Sequence, residues 1–312
     1  MGLFAGKEYY KQLLVVDIRD ADVLYIDVHH NCSVRVFRGL EKPDSPASAC
    51  IIKVDDGPDM IAVLARDGIR ILKQRYSRRK NADLTFEEVI KFPIDFSPNE
   101  HLGKHSFAYV GLETCTFEGE KCLVTFNKNK CQLEYFAIPE DFSSIEDISV
   151  KLVELARDYK NTLYMSKTYD ANHLFLSVND IGRPFVARVS FNGEPDVSWQ
   201  NQGIVHVPKD SIDMMAGVCE TPNGTLLICD GNGSKYPQYG NVWAVLESKE
   251  YDKSGKFVPV KLQDKNGRNI TVRRSVDIVS NHRNIFLCTH PLSDPKCRTK
   301  AEIYAFARPD DF

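Results

Sequence analysis

Val23-Leu-Tyr-Ile-Asp27, Ile61-Ala-Val-Leu-Ala65, Cys122-Leu-Val-Thr-Phe126, Leu174-Phe-Leu-Ser-Val178, Leu226-Leu-Ile-Cys-Asp230 and Ile285-Phe-Leu-Cys-Thr289 are one apolar strand written six times. Each copy runs into a polar turn and then into a second apolar strand. The copies recur roughly every 52 residues, within the range of propeller blades. Six such periods account for the 312 residues. Upstream of each copy lies another extended segment, closed by turns such as Asp17-Ile-Arg-Asp-Ala-Asp22, Phe117-Glu-Gly-Glu120 and Glu220-Thr-Pro-Asn-Gly224. Asp, Asn, Gly and Pro fill these positions because each suits a turn backbone.

The repeating unit is therefore strand A, tight turn, strand B, loop, strand C. A more polar strand D follows, with candidates at Val89–Phe92, Ser149–Val153, Gly203–Val207 and Phe257–Leu262. No unit of this kind buries both faces alone, so the units must stack. The expected fold is all-β, a six-bladed β-propeller of four-stranded antiparallel blades, in a single domain over residues 1–312. The last unit ends at Tyr304-Ala-Phe-Ala307 with little left for a strand D, and Tyr9–Leu14 is expected to supply it. Residues 144–159 carry both helical and strand spacing; the repeat calls for a strand at their centre.

Composition narrows the function. At 43% hydrophobic and 27% charged residues the chain is of ordinary globular make-up. A net charge of −3 gives no general attraction to nucleic acid or to an anionic membrane. The basic run Arg70, Lys73, Arg75, Arg78, Arg79, Lys80 reads as a charged strand edge rather than a phosphate patch. No apolar run approaches the ~18 residues that span a bilayer, and the first residues lack a signal-peptide pattern. Nine cysteines, with no Cys-x-x-Cys pair, suit reduced thiols and a cytoplasmic location. A bridge from Cys288 to Cys297 is the alternative.

Val186-Ala-Arg-Val-Ser-Phe-Asn-Gly-Glu-Pro-Asp-Val-Ser-Trp-Gln-Asn-Gln-Gly-Ile-Val205, followed by Thr221-Pro-Asn-Gly-Thr-Leu-Leu-Ile228, resembles the delta-60 repeat. Arg188, Asn192, Gly193, Asp196, Ser198 and Gly203 match that family's pattern. Trp199 stands where the family has Phe, Gln202 where it has Gly, and Asn223 where it has Asp. The likeness covers residues 186–229 and implies a propeller fold. It implies no catalytic residues.

In a propeller, the B–C loops and the links from strand D to the next strand A share one face, the expected ligand face. Three features there are candidates. Asp230 and Asn232 with Tyr236 and Tyr239 combine carboxylate, amide and aromatic faces, which suits a carbohydrate or another polar small molecule. The same glycine-rich run also reads as a flexible hairpin tip. Asn179, Asp180 and Arg183 could clamp an anion, or simply form a turn bonded to its own backbone. His30, from the pair His29-His30, and His290 could hold a metal with Asp27 or Asp230, or be solvated loop histidines.

No Gly-x-Ser-x-Gly elbow, phosphate-cradling glycine loop or His-Glu-x-x-His helix occurs, and no cofactor motif is present. The sequence thus points to a binding module for a carbohydrate, a polar small molecule or a protein partner, with neither nucleic acid nor membrane as partner. The alternative is a metal-dependent hydrolase or lyase at the mouth of the ring.

Overall fold

The structure is a computed structural model. It describes residues 2–4, 12–17, 22–27, 33–37, 47–55, 57, 59–65, 68–75, 85–94, 108–140, 150–157, 159–180, 183–200, 202–208, 211–212, 214–231, 242–246, 256–263, 266–270, 272, 275–281, 284–289 and 303–307. These form two compact units, Gly2–Lys160 and Asn161–Phe312. Among the described residues there are strands and turns and no helix, hence no helix long and apolar enough to cross a membrane.

The first unit holds three antiparallel sheets. They are β1 (Gly2–Phe4), β2 (Gln12–Asp17), β3 (Asp22–Asp27), β4 (Ser33–Phe37); then β5 (Ser48–Ile52), β6 (Met60–Ala65), β7 (Gly68–Arg75), β8 (Thr85–Phe92); then β9 (Tyr109–Phe117), β10 (Glu120–Asn127), β11 (Gln132–Ala137), β12 (Val150–Glu154). The second unit holds β13 (Thr162–Lys167), β14 (His173–Val178), β15 (Phe185–Ser190), β16 (Ile204–His206); then β17 (Met215–Glu220), β18 (Leu226–Asp230), β19 (Val242–Leu246), β20 (Lys256–Pro259); then β21 (Ser275–Ser280), β22 (Asn284–Thr289), β23 (Ile303–Ala307). In every sheet, strands adjacent in sequence are adjacent in space. Each tight turn makes a hairpin, so the pattern of turns alone builds the sheet.

The fold is an all-β propeller of four-stranded antiparallel blades. Five blades are complete rather than the expected six, and the sixth sheet has three strands among the described residues. The expected sealing strand is also corrected. Gln12–Leu14 belong to β2, which pairs with β1 on one side and β3 on the other. The first sheet thereby fills its own four places.

The phase of the first unit shifts as a result. In the second, fourth and fifth sheets the first and second strands both approach the next sheet, as β5 and β6 approach β9, and β17 and β18 approach β21. In the first sheet those strands are β1 and β2. Strand B there is Gln12–Asp17, and Val23–Asp27 lies in the third strand, not the second. The predicted strand in residues 144–159 is found as β12.

The cores explain why the second strands read as unbroken apolar runs. In β18, Leu226 and Ile228 pack with Phe175 and Trp199, while Leu227 and Cys229 pack with Ile278 and Leu287. One strand thus faces two neighbouring sheets, and both of its sides must be apolar. In the first unit, Ala62 and Leu64 of β6 meet Leu123 and Phe136 of the next sheet in the same way. Gly217 lets β17 and β21 approach closely: a Cβ there would stand 2.8 Å from the Asp277 Cα.

Candidate functional site

Of the residues singled out by sequence, Asp230 is buried at the end of β18. Its Oδ1 accepts a hydrogen bond from Met214 N–H at 3.2 Å, and Gly231 N–H donates to the Met214 carbonyl at 2.7 Å. That carboxylate helps fasten the start of the fifth sheet. Asn179, Asp180 and Arg183 share the turn after β14, where Arg183 N–H donates to the Asp180 carbonyl at 3.2 Å and Asn179 N–H to the Asn161 carbonyl at 3.0 Å. Asp180 and Arg183 are exposed. Asn232, Tyr236, Tyr239, His30 and His290 lie outside the described residues. Among the described residues, no group of three His, Cys, Asp or Glu side chains converges as metal ligands would.

The residues that carry the repeat resemblance hold a hairpin together. Arg188 Nε stands 3.1 Å from Asp196 Oδ2, with both side chains largely buried. Asp196 Oδ1 accepts from Ser198 N–H at 3.1 Å and Ser198 Oγ–H at 2.6 Å. Arg188 Nη2 donates to His173 Nδ1 at 3.3 Å. Gly203, at φ 80°, passes so close that a Cβ would lie 3.0 Å from Asp196 N. Nearby, burial pushes Asp170 up, but hydrogen bonds from Thr168 and Asn172 and the Arg188 charge outweigh it and leave its carboxyl low.

A polar cluster that sequence reasoning passed over lies at the B–C end of the third sheet. The register puts Tyr109, Asn127 and Gln132 in one row across β9, β10 and β11, with Glu134 two residues along β11. All four are buried. Glu134 Oε1 accepts from Asn127 Nδ2 at 2.8 Å and Gln132 Nε2 at 2.8 Å, and Oε2 from Tyr109 O–H at 3.0 Å. Three donors thus satisfy a carboxylate held out of water. Asn127 Oδ1 in turn accepts from Asn129 and Lys130 N–H, at 3.1 and 3.2 Å, which shapes the loop. Cys131 ends the loop at φ 54°; its sulfur accepts from Tyr159 N–H at 3.1 Å and donates to the Arg157 carbonyl at 3.2 Å.

Lys128 begins this loop. Its N–H continues the ladder to the Ala108 carbonyl at 2.7 Å, and the residue is only 5% exposed. Among the described residues no side chain or carbonyl partners its ammonium. Glu134 is already taken by three neutral donors. Burial drives the Lys128 ammonium down to about 8. A buried cation with no counter-charge among the described residues is costly, which makes Lys128 a functional-site candidate. The sequence signal was present in Gln132-Leu-Glu-Tyr-Phe136. Gln132 and Glu134 occupy alternate positions on a face that the repeat requires to be buried.

The fold and this site define a β-propeller with a buried polar cluster at the loop end of one blade. No protein-family model and no curated protein matches the sequence. Among solved structures, the chain is similar to a luciferin-regenerating enzyme, with a TM-score of 0.54 at 11% identity over 97% of this chain and 89% of that one. It is similar to the hydrazine synthase of Kuenenia stuttgartiensis, with a TM-score of 0.53 at 13% identity over 92% of this chain and 72% of that one. Identities this low speak to the path of the chain and not to its chemistry.

Proposed function

We propose that this chain, as one propeller domain, is a binding module that takes a polar small molecule carrying a carboxylate or phosphate at the B–C end of its third sheet. The observation that carries the reading is Lys128, a buried ammonium without a counter-charge among the described residues. An anion brought to it would offset the cost of its burial. The Asn127–Gln132–Glu134–Tyr109 network fixes the loop that presents it.

The test is thermal unfolding of the full chain in millimolar inorganic phosphate, acetate or glucose. The two anions are expected to raise the transition temperature of the wild type and to leave Lys128→Met unmoved. Equal shifts in both proteins, or none in either, would remove the reading. A response to glucose alone would move the ligand to the neutral carbohydrates considered for the Tyr236 loop.

A protein partner is the second reading, favoured by β12. This outer strand exposes Val150 and Leu152 on one face, with Leu152 57% exposed. A Leu152→Lys variant should lose such a partner and keep the anion response. The metal-dependent alternative draws support from neither Asp230, which bonds Met214 N–H, nor any donor cluster among the described residues.

A further inference from the structure

Cys115 and Cys122 stand directly opposite each other across β9 and β10, and neither is in a disulfide. Their hairpin closes through two residues, Glu118 at φ 51° and Gly119 at φ 85°, the two left-handed positions of a type I′ turn. The flanking pair Phe117–Glu120 is then hydrogen-bonded, and strict alternation makes Cys115–Cys122 hydrogen-bonded as well. Such partners have Cα atoms about 5.5 Å apart. That lies inside the Cα span a disulfide bridges. The Cβ atoms of a hydrogen-bonded pair, however, lie toward the upper end of about 4.5–5.5 Å, beyond the ~3.5–4.5 Å of an unstrained bridge. Closing the bond must therefore draw the two strands together and leaves it easily reduced.

The surroundings suit chemistry at one thiol first. Cys115 is half-buried and Cys122 buried. Burial and the Glu120 charge push the Cys122 thiol up. The hairpin tip itself is exposed, at Thr116, Glu118, Gly119, Glu120 and Lys121. The Tyr135 ring lies near both thiols and stacks on Phe117, 4.1 Å between centroids. Lys151 Nζ bridges Glu118 and Glu120 at 2.7 and 3.2 Å, tying the hairpin to β12. No comparable register joins Cys219 to Cys229, since Cys219 faces Leu227.

We propose that Cys115 and Cys122 form a reversible cross-strand disulfide site, closed by a small-molecule disulfide such as oxidised glutathione. The Cys115 thiolate attacks one sulfur of oxidised glutathione, making a mixed disulfide and expelling one glutathione thiolate. Cys122 gives up its proton and attacks the Cys115 sulfur, forming the intrasheet bond and expelling the second glutathione. Two protein thiols are oxidised and one glutathione disulfide is reduced to two thiols.

Trypsin cuts after Lys121, between the two cysteines. The full-length folded protein is incubated with oxidised glutathione, its remaining thiols are alkylated, and it is digested without reduction. Mass spectrometry should find peptides 105–121 and 122–128 joined, two hydrogens lighter than their sum, and separate again after dithiothreitol. Cys115→Val should leave Cys122 unlinked. Glutathione stable on Cys115 with no linked pair would overturn the assignment, as would oxidation confined to other cysteines such as Cys131. The wild-type digest decides the matter even where the variant folds poorly.

Discussion

At the scale of single residues, the third sheet buries two ionisable side chains six positions apart, Lys128 and Glu134, and treats them differently. Glu134 is enclosed by three donors. Removing it takes away the acceptor of Tyr109 O–H, Asn127 Nδ2 and Gln132 Nε2, and hydrogen bonds to charged groups are worth about 1.5–3 kcal/mol each. Glu134→Ala should therefore lower unfolding stability by about 3 kcal/mol, read from urea midpoints at constant slope. Lys128 has no such enclosure, and burial lowers it from 10.5 to about 8. Below pH 8 the folded protein carries the whole cost of the buried charge. Between about 8 and 10.5 the folded chain has shed a proton that the unfolded chain keeps, so this group's contribution rises with pH. Cys122, Cys219 and Cys229 act in the opposite sense, because burial raises their thiols and ionisation is easier when unfolded. The wild-type curve alone mixes these effects. The difference between wild type and Lys128→Met isolates the lysine and should change by up to about 3 kcal/mol from pH 7 to 10.5, wild type gaining. A flat difference would show that the ammonium is solvated in the folded protein.

At the scale of elements, the hairpin from β15 to β16 shows what a repeat motif can and cannot say. Arg188, Asp196, Ser198 and Gly203 were legible as a pattern, and their geometry is that of a staple: an ion pair, a side-chain-capped turn and a close backbone crossing. Asp196→Ala should cost about 2 kcal/mol, since it removes the nearer carboxylate from a largely buried guanidinium that keeps His173 at 3.3 Å and Asp170 at 3.9 Å, and Gly203→Ala somewhat less through its left-handed φ. Both are read by chemical denaturation. Strands B, C and D were legible because apolar runs and turn residues are local signals. The first sheet was misphased because Gly2-Leu-Phe4 is too short to show a period, so Gln12–Asp17 read as a first strand when it is a second. The candidate site was missed for a different reason. Glu134 and Lys128 become unusual only through burial and pairing, and those depend on which strands lie beside β10 and β11. The basic run illustrates the same limit: Arg70 pairs with Glu88 at 3.2 Å across β7 and β8, and the sheet edge is β8 rather than the basic strand.

At the scale of the whole molecule, the decisive property is a gradient of burial across the third and fifth sheets. The second strand is apolar on both sides because each side meets a different sheet; in β10, Cys122 to Asn127 are all buried, and all of β18 is buried. Their fourth strands are more open: Val150, Leu152 and Glu154 of β12 are exposed, and β20 is exposed at Lys256 and half-buried beyond it, whereas β16 of the fourth sheet is buried at Ile204 and Val205. A fourth strand also has one ladder partner instead of two, so half of its amides lack a bond within the sheet. Both effects favour local opening at the outer edge while the inner strands hold until a unit unfolds. Hydrogen exchange followed by mass spectrometry should therefore find peptides of β10 and β18 exchanging slowest and those of β12 and β20 fastest, by on the order of a hundredfold in rate for a local difference of about 3 kcal/mol. Closing the Cys115–Cys122 bridge should leave that order intact, because it joins strands that are already paired. Outer strands as slow as inner ones would mean that something covers β12 and β20 in solution. That result would move the weight of the functional reading from the anion at Lys128 to the partner at Leu152.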